Sequence, residues 1–238
     1  MGKRYGNAVT ADDIIEQGYG ADSLRLYEMF IGPYDQGVDW NPNGIDGTKR
    51  FLNRVWALVQ DQLEATSGSV SQDKDATASV AKTVHKTIKK VTLDLEDFGF
   101  NTAIAAMMEC VNELYKLKTT VALGSKEWQE NLKLVVQILA PFAPHITEEL
   151  WQQLGGVGSV HVSEWPAFNS KLVTDDTVTI VVQVNGKLRA QLKVDVDAHE
   201  QEVVEQAQQD DNVTKYLENK QVIKTVYVPS KLVNFVVR

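Results

Sequence analysis

The sequence has 238 residues, 43% hydrophobic and 24% charged, with 24 Lys plus Arg against 32 Asp plus Glu and a formal net charge of −8. This is an ordinary folded composition with room for one large or two smaller domains, which excludes collagen-like, low-complexity and wholly disordered readings. The acidic balance disfavours indiscriminate binding to nucleic acid or anionic lipid but leaves room for a local basic patch. No uncharged apolar run reaches the ~20 residues of a membrane span. The single cysteine, Cys110, has no disulfide partner and cannot build a zinc site alone. A soluble, cytoplasmic protein that engages neither membrane nor DNA is the expectation.

In chain order, the opening MGKRYGNAV is basic but lacks the apolar core of a secretory signal. Thr10 before Ala11-Asp12-Asp13 reads as an N-cap followed by the acidic residues a helix dipole favours. Residues 20–32 put Leu24, Tyr27, Phe30 and Ile31 on one helical face, and Gly32-Pro33 stops that helix. A connector rich in Gly and Pro follows to residue 47, with Trp40 as its anchor. Long amphipathic helices come next. One spans about 48–65 with a stripe of Phe51, Leu52, Val55, Trp56, Val59 and Leu63. After a polar linker at 66–75, another covers 76–97 on Val80, Val84, Ile88, Val91 and Leu95. A third is capped by Asn101, a fourth runs from Ser125 to near Pro141, and the last from near Pro144 to Leu154.

The period then changes. Gly155, Gly156 and Gly158 open a loop that closes at Trp165-Pro166. Residues 177–184 read as a strand, Asn185-Gly186 as a two-residue hairpin turn, and 187–194 as the returning strand. Helices are predicted at 199–209 and 212–218, and strands at 222–228 and 231–237. The predicted fold is mainly α and then α+β: an antiparallel helical bundle followed by a small ββααββ domain. Residues 1–44 form the leading loop and connecting helices, 45–168 the bundle, and 169–238 the terminal domain.

Residue types that do catalysis are sparse. His85, His145, His161 and His199 have no metal-ligand spacing; His85 and His199 read as solvent-exposed, and His145 as a capping or packing residue. Cys110 lies on an apolar helix face with nothing beside it to activate a thiol. Neither common phosphate-loop signature occurs, and Glu148-Glu149 point to different helix faces, so they form no acid–base pair. Two basic clusters stand out. Lys82, His85, Lys86, Lys89 and Lys90 form one helical stripe, readable as a phosphate track or as a solvated face. Asn185, Lys187 and Arg189 sit at the hairpin, with Lys187 and Arg189 on one strand face and Leu188 on the other. That tip is readable as a phosphate or ribose contact, or as a polar strand face.

Several segments carry a family likeness. MGKRYGN resembles the M-S-K-S-x-G-N signature of class I aminoacyl-tRNA synthetases, in which a loop lysine neutralises ATP phosphates. YGADSLR at 19–25, RFLNRVW at 50–56, FNTAI at 100–104 and LAPFAPHITEELW at 139–151 resemble later landmarks of that class. VQVNGKLR at 182–189 and VYVPSKLVN at 226–234 resemble the tail of bacterial-type leucyl-tRNA synthetases. Neither the coiled coil of valyl relatives nor the cysteine-bound zinc of isoleucyl ones has a counterpart. Gly2 and Arg4 replace the two signature serines, leaving Lys3, Gly6 and Asn7.

The resemblance covers the whole chain and implies the C-terminal third of such an enzyme, which attaches leucine to its tRNA with ATP and Mg. The nucleotide-binding and editing domains have no counterpart here. The fragment is therefore expected to be inactive alone, to need no cofactor of its own, and to have leucine tRNA and those absent domains as partners. Lys3 is the expected ATP contact of the full enzyme. Lys187 and Arg189, with Asn185, are the first-choice tRNA contacts at the elbow or backbone. Lys86, Lys89 and Lys90 with Arg50 and Arg54 are the second choice, although both arginines are also readable as structural, paired with acids such as Asp46. The face toward the absent domains is expected to be apolar around Leu24, Tyr27, Met29 and Phe30. The alternative from another class is a non-enzymatic helical adaptor for protein partners, marked by an exposed apolar patch.

Overall fold

The computed structural model describes residues 4, 9–41, 43–65, 74–121, 123–174, 177–195, 198–218 and 220–238. Lys3, with Gly6 and Asn7, and most of the 66–75 linker lie outside the described residues. The chain forms two compact units, Met1–Val173 and Thr174–Arg238.

The first unit begins with α1 (Ala11–Glu16) and α2 (Ala21–Phe30). Thr10 and Asp13 cap α1 reciprocally: the Thr10 hydroxyl accepts from the Asp13 amide at 3.2 Å, and the Asp13 carboxylate from the Thr10 amide at 2.8 Å. The bundle proper is α3 (Ile45–Glu64), α4 (Lys74–Glu96), α5 (Phe100–Leu117), α6 (Lys126–Leu139) and α7 (Pro144–Gln153). Its core is the predicted one on α4, where Val80, Val84, Ile88 and Val91 are all buried against Ile104, Met107, Leu114, Ile138 and Leu139. On α3 the buried stripe is Phe51, Leu52, Val55, Leu58 and Val59, while Trp56 and Leu63 lie off it at 37% and 43% exposure. At about 100° per residue, Trp56 and Leu63 fall roughly 140° and 120° round the helix from Phe51, past the edge of that stripe, and that geometry overrides their hydrophobicity.

Three expectations are corrected here. Asn101 does not cap α5: the N-cap is Gly99, after the chain turns at Phe98 with φ +56°, so Asn101 already lies in the first turn. Tyr27 is not part of an exposed apolar face. It is buried, its hydroxyl donates to the Asn41 carbonyl at 2.9 Å, and its ring meets the edge of Trp40 with centroids 4.9 Å apart. Trp40 thus anchors the connector through Tyr27. Finally, the unit does not end at residue 168, because the short α8 (Ser170–Val173) packs on α4 and belongs to the helical body.

The second unit is a four-stranded mixed sheet with order β2-β1-β4-β3, made of β1 (Thr177–Val184), β2 (Lys187–Asp195), β3 (Val222–Val228) and β4 (Leu232–Val237). β1 pairs antiparallel with β2 and parallel with β4, and β3 with β4 antiparallel. Between the two hairpins come α9 (Glu200–Gln209) and α10 (Asp211–Leu217). Ile180, Val182, Val184, Val233, Phe235 and Val237 alternate along the strands and bury one sheet face under Val203, Ala207 and Val213 of the helices. The Asn185-Gly186 turn has φ +50° and +75°, the pair of positive values a type I′ turn demands.

Candidate nucleic-acid interface

In the helical unit, three of the segments singled out by sequence converge. Asp22 and Arg25, three residues apart on α2, clamp the joint between α6 and α7. The N-cap position of α7 is Ala143, which has no side-chain acceptor. Asp22 replaces it from outside, accepting from the Ile146 amide at 2.7 Å, the His145 amide at 3.3 Å and His145 Nδ1 at 2.8 Å. Arg25 donates to the carbonyls of Pro141 and Phe142 at 3.0 and 3.3 Å. His145 is therefore the partner of a cap rather than the cap itself.

Beside this clamp opens a groove of about 650 Å³ between α2, α3 and α7, lined by Lys49, Asn53, Trp56, His145 and Tyr19 among others. Its cation is engaged: Lys49 Nζ donates to the Gly18 carbonyl at 2.9 Å and lies 5.3 Å from the Tyr19 ring centre. The Tyr19 hydroxyl donates to Asp46 at 2.8 Å, and that bond raises its pKa.

The second-choice cations are mostly committed to the protein. Arg54 donates to the Asn112 side chain at 2.5 Å and stacks 4.4 Å from the Tyr115 ring centre, while the Tyr115 hydroxyl donates back to the Arg54 carbonyl. Arg50 Nε reaches the Asp46 main-chain carbonyl at 3.3 Å, not its carboxylate. Lys90 forms an ion pair with Asp94 one turn on. The α4 stripe also splits. Lys86 and Lys90 line a depression shared with Glu109 and Glu113 of α5, whereas Lys89 lies 5.9 Å from the Phe168 ring centre on the other side. His85 is not free in solvent: its Nδ1 accepts from the Asn169 amide at 3.2 Å, and partial burial lowers its pKa.

At the hairpin tip, Asn185 is used internally. Its side chain accepts from the Val237 amide at 2.9 Å and donates to the Val237 carbonyl at 3.2 Å, tying the turn to β4. Lys187 is exposed at the tip, and Arg189 is half-buried with its guanidinium carbon 3.6 Å from the Tyr216 ring centre. Sequence reasoning missed Tyr216. Its only signal is the single aromatic residue of a short helix, set beside the apolar pair Val213 and Leu217.

Among the described residues no group of three His, Cys, Asp or Glu side chains is placed to hold a metal ion. Glu148 accepts from the Ser159 hydroxyl and Val160 amide, and Glu149 from Gln153, so the two acids serve separate structural contacts. Cys110 is buried, and burial pushes its thiol up to about 11. Native protein is accordingly expected to resist an aromatic disulfide reagent at mildly alkaline pH, with full labelling only after denaturant is added. Rapid stoichiometric labelling of the native chain would contradict the burial. No described helix is long and apolar enough to cross a membrane.

The chain is therefore a helical bundle followed in sequence by a mixed-sheet unit with a basic hairpin. Residues 79–205 match the family model described as the anticodon-binding domain of tRNA ligase, and the chain belongs to that family. Over all 238 residues it is 48% identical to the leucine–tRNA ligase of Chlorobaculum tepidum and 42% identical to that of Dehalococcoides mccartyi strain CBDB1. It spans 28% and 29% of those proteins' lengths. A crystal structure of a ternary LeuRS–tRNA–LeuAMS complex from Agrobacterium radiobacter K84 contains a chain that matches with a TM-score of 0.78 and 32% identity, covering 100% of this chain and 31% of that one.

Proposed function

We propose that this chain is the tRNA-docking portion of a leucine–tRNA ligase, reading the shape and backbone of leucine tRNA rather than performing the chemistry. The observation that carries this reading is the whole-length likeness to a LeuRS chain solved with tRNA bound. Within it, Lys187 and Arg189 are the strongest contacts. Among the described residues neither has a protein acceptor, whereas Arg50, Arg54 and Lys90 are already bonded to protein atoms. Asn185 contributes by fixing the turn that carries them. ATP and Mg belong to the complete enzyme. Lys3, its expected ATP contact, lies outside the described residues, and no step of leucine activation is assigned to the described ones.

Leucine tRNA is expected to bind preferentially over a non-cognate tRNA and to weaken with salt. Replacing Lys187 and Arg189 together by Ala is expected to weaken binding on the order of tenfold and to flatten the salt dependence by about two phosphates. Filter binding or anisotropy at low and near-physiological salt measures this, and equal binding of both tRNAs or an unchanged double variant would sink the reading. A second reading, a helical adaptor for protein partners, draws on one apolar rim. Tyr34 and Phe98 stack there with centroids 5.7 Å apart at 74% and 60% exposure. Under it the same titration gives no tRNA binding.

A further inference from the structure

Regular pairing does not explain where Arg189 stands. β1 and β2 pair one to one from Thr177↔Asp195 to Val182↔Ala190, but the next pair is Gln183↔Leu188, which leaves Arg189 as the extra residue of a β-bulge. Ala190, Leu192 and Val194 oppose Val182, Ile180 and Val178 on the helix-covered face. Unbroken alternation would carry Leu188 onto that face too. The bulge instead sends Leu188 outward, at 57% exposure, and lays Arg189 against Tyr216 of α10.

The guanidinium that results is half finished. Its Nε is buried without an acceptor, and among the described residues no other group bonds the side chain. Tyr216 backs the plane at 3.6 Å and is itself 38% exposed. A guanidinium offers an oxyanion two paired edges, side-on through Nε and one Nη, or end-on through both Nη groups. Burial of Nε closes the first and leaves the second.

We propose that Tyr216 is a positioning residue that presents Arg189 end-on, through its two Nη groups, to a phosphate of the RNA backbone. This rests on the tRNA-docking reading above. The flat ring holds the guanidinium in one orientation before the RNA arrives, so little side-chain freedom is lost on binding. A lysine at position 189 would carry the same charge but has no plane to stack or paired edge to present.

The test is fluorescence anisotropy of a labelled leucine tRNA transcript with the 238-residue chain. Tyr216→Leu, which keeps apolar bulk but removes the π face, is expected to weaken binding as much as Arg189→Ala does, by about three- to tenfold. Tyr216→Phe is expected to stay within about twofold of the parent, because the ring and not the hydroxyl backs Arg189. The Arg189→Ala, Tyr216→Leu double variant is expected to bind no worse than either single one, and each single variant to lower the salt slope by about one phosphate. Parent-like binding by Tyr216→Leu, or losses that add in the double variant, would overturn the platform while leaving hairpin docking in place. Parent-like binding by Arg189→Ala would overturn both. Displacement of the tRNA by polyglutamate as readily as by an unlabelled RNA duplex would give the site to carboxylates and overturn its assignment to RNA.

Discussion

Replacing Asp22 by Ala is expected to destabilise the helical unit by about 2–4 kcal/mol, more than a surface substitution and more than loss of an ordinary exposed cap. The first turn of α7 begins Pro144-His145-Ile146 and its N-cap residue is Ala143. Proline has no amide hydrogen to satisfy, but the amides of His145 and Ile146 do, and both donate to the Asp22 carboxylate more than 120 residues earlier. Asp22 is itself 8% exposed. Truncating it strands two helix-terminal amides and removes a negative charge from the positive end of the helix dipole. Arg25, one turn along the same helix, holds the carbonyls at the other side of the joint, so the clamp is shared and neither half is redundant. Guanidinium unfolding followed by tryptophan fluorescence is the measurement. Trp40, Trp56, Trp128, Trp151 and Trp165 all lie in the helical unit, so the signal reports that unit alone. Asp22→Asn, which keeps an acceptor oxygen without the charge, is expected to lose about half as much. A midpoint for Asp22→Ala equal to the parent's would show that the clamp contributes nothing.

Gly156→Ala is expected to cost about 2–3 kcal/mol in the same assay, a large effect for one added methyl. α7 ends in a Schellman arrangement. The Gly156 amide donates to the Trp151 carbonyl at 2.8 Å, and the Gly155 amide to the Gln152 carbonyl at 3.0 Å. The two glycines are needed for different reasons. Gly155 takes φ +73° with open space around it, so a side chain there meets backbone strain and no clash. Gly156 lies against the face of Trp151, and a Cβ would fall 2.2–2.4 Å from its indole atoms. Trp151 is 9% exposed and seated in the bundle core, so the ring cannot move aside without opening a void. Gly155→Ala is expected to cost only about 1 kcal/mol. Equal losses for the two variants would mean that conformation, not space, fixes both positions.

The hairpin and the bundle were legible because they are local. Asn185-Gly186 announces a type I′ turn, since few other residue pairs accept two consecutive positive φ values. The three-four spacing of Val80, Val84, Ile88 and Val91 announces a helix whatever it packs on. The family likeness was legible in the same way, as short runs read in order. Within those runs, however, the roles were not. Asp22 and Arg25 are visible in YGADSLR as a pair three residues apart, yet nothing local says that they close a joint between two helices more than a hundred residues on.

The cation clusters divide along the same line. By itself, the sequence determined where cations occur and which element carries each: Lys86, Lys89 and Lys90 on α4, Arg50 and Arg54 on α3, Lys187 and Arg189 beside the turn. Only the tertiary structure decided which of them are spent. Arg54 is taken up by Asn112 and Tyr115 of a neighbouring helix, Lys89 meets Phe168 from a distant loop, and Arg189 is lifted from the ladder by a one-residue bulge onto Tyr216. Backbone propensity and hydrophobic period act over one or two turns of chain and can be read from the string. Side-chain partners are set by packing between segments far apart in sequence, where a shift of one residue in register exchanges a buried face for an exposed one.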